Sequence, residues 1–86
     1  MLVMLDEKQL VPILQDLAQK LDRAGSELVL DFSAVHWIDS KAVRAIDELA
    51  QKADEKAVRI VLRGVSVDVY KVLKLVRLTP RLSFAA

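Results

Sequence analysis

The chain is 86 residues long, with 53% hydrophobic residues, no cysteine and a formal net charge of +1. That length suits one domain with a real core, and the lack of cysteine excludes a disulfide framework and any thiolate metal site or nucleophile. A single histidine, His36, cannot build a zinc site without several carboxylate partners, and apolar runs of a few residues fall short of the roughly 20 that a membrane span needs.

Taken in order, Leu2 to Leu5 reads as a short strand at the start of a sheet. It meets Asp6 and Glu7 too early for a signal-peptide core, so a soluble cytoplasmic protein is expected, without membrane insertion. Asp6 is a plausible N-cap with Glu7 in the first turn. Leu10, Ile13, Leu14, Leu17 and Leu21 then recur at three- and four-residue steps, the pattern of an amphipathic helix with one buried face. Pro12 places the helix start near Val11, where a missing N–H costs least. Gly25 can take the left-handed conformation that closes it.

Glu27 to Phe32 has continuous apolar residues and reads as a buried strand. Val43, Ile46, Leu49, Ala50 and Ala53 form a second helical face, and Asp39 and Ser40 are each good caps for it. Ala57 to Arg63 is the next strand, broken by Gly64. A third helix starts at Ser66 or Asp68, carries Val69, Val72, Leu73 and Val76 inward, and ends at Thr79-Pro80. Leu82 and Phe84 tuck the tail onto the core. The order β-α-β-α-β-α predicts a single α/β domain, its small sheet mostly parallel with right-handed crossovers and helices packed on it.

Charge is unevenly spread: residues 1–40 hold seven acids and three bases, residues 41–86 five acids and ten bases. Arg59, Arg63, Lys71, Lys74, Arg77 and Arg81 concentrate the basic side, which is either a partner surface or solvated flanks. Only Tyr70 supplies an aromatic among them, so nucleic acid is not expected as a partner. His36, Asp39 and Ser40 are triad residue types, but five consecutive positions would have to converge within one tight loop, so no enzyme is expected. With only Gly25 and Gly64 in the chain, neither glycine-rich phosphate motif is present, and no cofactor is expected.

The informative stretch is Leu28 to Val43: a buried strand, a short loop, and the positive end of a helix, where α/β proteins tend to place recognition. A serine at a helix start tolerates phosphate while adding up to two negative charges to the surface. Ser and Asp are ordinary caps, and capping alone is sufficient to account for Asp39-Ser40. Trp37 is either packed over the sheet end or a partner-facing anchor, and His36 is at most a pH-responsive neighbour.

LVLDFSAVHWIDS (residues 28–40) and VRIVLRGVSVDVYKVLKLVRL (residues 58–78) resemble the STAS domain of bacterial anti-sigma factor antagonists and sulfate-transporter tails. The first segment matches the family's apolar strand, Asp, short loop and closing Asp-Ser; the second matches its next strand, Gly-Val-Ser turn and last helix. The resemblance implies that Ser40 is the phosphoacceptor of a partner that is both serine kinase and anti-sigma factor. It matches Asp39 to the Asp before the phosphoacceptor and Asp31 to a recurrent strand-end position; with the 33–44 loop and helix start as the working surface, Asp39, Ser40, Lys41, Arg44, Trp37 and His36 are the expected partner-binding residues. The usual Asp-Ser-Ser-Gly-Leu is replaced here by Asp39-Ser40-Lys41-Ala42-Val43. STAS domains commonly open with a pair of strands, of which only Leu2 to Leu5 is available, so the N-terminal strand region is shortened. An open sheet edge would favour pairing with a partner or a second copy as a homodimer. The same family includes accessory subunits of lipid-handling ABC transporters, with a permease as partner, and an interaction scaffold without phosphorylation remains the third reading.

Overall fold

A computed structural model describes residues 1–85. Four strands, β1 (Leu2–Met4), β2 (Glu27–Asp31), β3 (Arg59–Arg63) and β4 (Ser83–Phe84), form one sheet in sequential order. Every pairing among the described residues is parallel, as the β-α order predicts. Helices α1 (Leu10–Gln19), α2 (Ser40–Glu55) and α3 (Val67–Leu75) supply the three crossovers. Crossovers of one hand in a sequential order deliver all helices to the same side of the sheet.

The register separates the two faces. Leu30 pairs with Val3 and Leu62, and Leu28 with Ile60, which makes one apolar face. Leu28, Leu30 and Leu62 are fully buried there, with Leu14, Leu21, Ile46, Leu49 and Leu73 packed into the same core. On the opposite face Leu2 and Met4 are exposed, and Val29 and Val61 are half-buried. Both edge strands are short, three residues for β1 and two for β4, a common way to blunt unpaired backbone.

Local chemistry explains most boundaries. Asp6 accepts from Lys8 N at 3.0 Å and caps a 3₁₀ turn over Glu7–Gln9, after which α1 begins at Leu10. Pro12 is the third helical residue, within the first turn where no intrahelical N–H is needed. Leu21, expected on the helix face, is buried from a separate 3₁₀ turn, Leu21–Arg23. Helices α2 and α3 both end in the two-bond closure that normally uses glycine at the left-handed position. In α2 that position is Ala57 (φ 55), with Val58 N donating to Ala53 O at 2.9 Å; in α3 it is Arg77 (φ 62), with Leu78 N donating to Leu73 O at 3.0 Å. Thus α3 stops at Leu75 rather than at Thr79-Pro80, which instead opens a 3₁₀ turn, Thr79–Arg81. The tail then does more than tuck in: Ser83 and Phe84 pair with Val61 and Leu62 as the fourth strand.

Candidate partner-binding site

The loop between β2 and α2 is held from three directions. At its start Asp31 is buried. Its Oδ1 accepts from Ser33 N at 2.8 Å and its Oδ2 from Arg63 Nε at 2.9 Å. The Ser33 hydroxyl and backbone N–H, with the Arg63 guanidinium, lower its pKa from 3.8 to about 2. The neighbouring turn at Gly64 lies directly beneath: φ is +68, and a Cβ there would run into the Ser33 hydroxyl and sit 3.1 Å from Ser33 N. Only glycine meets both demands.

In the middle of the loop, Glu7 reaches across from the N-terminal 3₁₀ turn. Its Oε1 accepts from His36 N at 2.7 Å and from Trp37 N at 3.0 Å. Val35 and Ile38 on either side are buried, so the backbone is pinned while the His36 and Trp37 side chains stay outside. Trp37 is 61% exposed, which sets aside its packing over the sheet end. Glu7 was legible in the sequence only as a first-turn acid; no local pattern announces a contact spanning 29 residues.

At the end of the loop, Asp39 is the N-cap of α2, and its Oδ1 accepts from Ala42 N at 2.8 Å. Ser40 is therefore the first helical residue and not the cap. It is exposed, and among the described residues its hydroxyl has no hydrogen-bond partner. Lys41 and Arg44 are exposed beside it. Ser40 lines two shallow depressions. One, against α1, includes Lys41, Arg44 and Glu48; the other, against the corner after α3, includes Arg44, Arg77 and Arg81. Trp37 and Asp39 line a further depression with Glu7, Lys8 and Pro12, apart from the two that Ser40 lines, and His36 is exposed in the loop before them. Among the described residues there is no cluster of metal-ligating side chains, and no helix is long and apolar enough to cross a membrane.

The STAS domain family model matches residues 10–85. The chain belongs to the STAS family. The fold agrees with solved structures across nearly all of this STAS domain. The crystal structure of TM1081 of Thermotoga maritima, described as a "putative anti-sigma factor antagonist", superposes with a TM-score of 0.77 at 18% identity, covering 96% of this chain and 77% of the other. RsbS of Moorella thermoacetica gives 0.80 at 24% identity, covering 98% and 76%. A chain from the stressosome, a signal integration and transduction hub, gives 0.74 at 27% identity, covering 98% and 78%. No curated protein sequence matches.

Proposed function

We propose that this STAS domain is a regulatory protein-binding module of the anti-sigma factor antagonist type, working in the cytoplasm without catalysis of its own. Its partner surface is the loop and helix start over residues 33–44, and Ser40 is its phosphoacceptor. The observation that carries this reading is the division of labour at the helix start. Asp39 satisfies the cap, so the Ser40 hydroxyl is exposed and free for transfer chemistry without any cost to the helix. In that transfer the Ser40 oxygen attacks the γ-phosphorus of ATP bound to a partner kinase, ADP leaves, and the hydroxyl proton passes to the kinase's base. The added phosphate carries about −1.5 to −2 charge, enough to change partner electrostatics while the fold stays as it is. The neighbours described as a "putative anti-sigma factor antagonist" and as part of the stressosome support a role in signalling through protein contacts.

The test is incubation with ATP and the serine kinase that binds the chain, followed by mass spectrometry of Ser40, and comparison of Ser40→Ala with Ser40→Asp in partner affinity. Phosphate on Ser40 and weak binding by Ser40→Asp are expected. Absence of phosphate there, or equal affinity of the two variants, refutes the switch.

A second reading, an accessory subunit beside a membrane transporter, has its own support. Leu75 is 82% and Val67 69% exposed on α3, next to exposed Lys71, Lys74 and Arg77. Co-purification with a permease complex, unaffected by Ser40→Asp, would favour it.

A further inference from the structure

The depression between α2 and the corner after α3 is lined by Ser40 together with three arginines: Arg44 from α2, and Arg77 and Arg81 from the corner. Three hydrogen-bonded ion pairs form among the described residues, and none of them uses these arginines. One carboxylate, Asp47, shares the wall, and it already accepts from Gln51 Nε2 at 3.2 Å. Arg77 occupies its place against local preference, at φ 62 where glycine is the usual choice. A non-glycine residue held there is a reason to ask what its side chain does. Planar guanidinium groups that line the same depression as a serine hydroxyl are the donor type suited to a phosphoryl group, which they bind through paired charge-assisted hydrogen bonds.

We propose that Arg44, Arg77 and Arg81 form an intramolecular receiving site for the phosphoryl group on Ser40. The inference rests on the phosphoacceptor reading above and adds how the modification acts. A dianion placed among three arginines neutralises a cationic face more than it creates an anionic one. Phosphorylation then works by withdrawing arginines from an acidic partner surface and by clipping the start of α2 to the corner after α3.

The experiment installs phosphoserine at position 40 during translation, so it needs no kinase and separates failure of this site from failure of the phosphoacceptor reading. The readout is the second ionisation of the phosphate followed by ³¹P NMR, ordinarily near pH ~6. In the parent chain we expect it to be about half a unit to one unit lower than in Arg77→Gln/Arg81→Gln, because nearby positive charge favours the dianion. Lys71→Gln/Lys74→Gln removes the same charge from the outward side of α3 and should leave the ionisation where the parent has it. Amide shifts of residues 76–79, 81 and 82 should move on phosphorylation in the parent and not in the arginine double variant. Equal ionisation in the parent and the arginine variant overturns the proposal, as does an equal change in both double variants, which reduces the effect to net charge. Saturable binding of inorganic phosphate by the unmodified chain, without any effect of the arginines on phosphoserine 40, would assign the arginines to a free ligand and overturn it too.

Discussion

Arg63 Nε donates to Asp31 Oδ2 at 2.9 Å from the directly opposed position on the neighbouring parallel strand. This cross-strand pair closes the end of the sheet from which the loop between β2 and α2 departs. Asp31 is buried while the Arg63 side chain is 47% exposed, so the carboxylate is held by fixed donors and the arginine can still reach water. The pair therefore couples sheet stability to the geometry of the loop.

The lowered pKa of Asp31 makes a signed prediction. A carboxyl whose pKa falls on folding stabilises the native state wherever it is ionised in both states, and this contribution is lost as pH drops. With 3.8 as the ordinary value and about 2 in the fold, the loss falls between pH ~4 and ~2. The urea midpoint of the parent should decline across that window. In Asp31→Asn the midpoint should be lower at neutral pH and should lack this component of the decline, read as the difference between the two pH profiles.

Capping separates the two residues at the start of α2. Asp39→Ala removes the acceptor for Ala42 N and should cost about 1 kcal/mol, the usual loss for an N-cap. Ser40→Ala should stay within about 0.5 kcal/mol of the parent, as surface changes without lost partners do. Chemical denaturation of both variants checks this, and a Ser40→Ala cost matching that of Asp39→Ala would contradict the assignment of the cap to Asp39.

Ala57 offers a stabilising change. Its φ of 55 lies in the left-handed region at the end of α2, where a Cβ is unfavourable and glycine is not. Ala57→Gly should raise stability by about 0.5 kcal/mol, the relief of strain outweighing the greater chain entropy of glycine. The urea midpoint measures it, and partner binding should not change, since Ala57 is far along the chain from the loop and sits at the other end of α2.

Periodicity carried most of this fold because the apolar residues of α1, α2 and β2 must repeat to meet one core. Leu14, Leu17, Ile46 and Leu49 are all buried where their spacing puts them. The end of α3 was hidden, since the left-handed residue that stops it is Arg77, and arginine carries no turn signature. β4 was hidden for another reason: two residues cannot show a period, and their strand character comes wholly from pairing with Val61 and Leu62. At the site, the Asp39-Ser40 pair was visible from type and position, but which of them caps depends on a backbone angle that neither residue type decides. The contribution of Glu7, Arg77 and Arg81 to the loop and its surroundings is long-range and could not be read from local spacing.

Glu7 supplies the last prediction. Its carboxylate holds two consecutive amides, those of His36 and Trp37, and carboxylate acceptors make the stronger class of hydrogen bond. Because the loop's own anchors Val35 and Ile38 are buried, losing Glu7 should loosen the stretch between them without unfolding the domain. Glu7→Gln keeps an oxygen acceptor and should retain part of the restraint, whereas Glu7→Ala removes it. Amide hydrogen exchange at His36 and Trp37 should therefore accelerate modestly in Glu7→Gln and by about tenfold in Glu7→Ala, the equivalent of roughly 1.4 kcal/mol of local stability. Exchange in β2 and β3 should remain as in the parent. If the loop presents Trp37 to the partner, affinity should fall in the same order. Unchanged exchange at both amides in Glu7→Ala would show that the buried anchors hold the loop unaided.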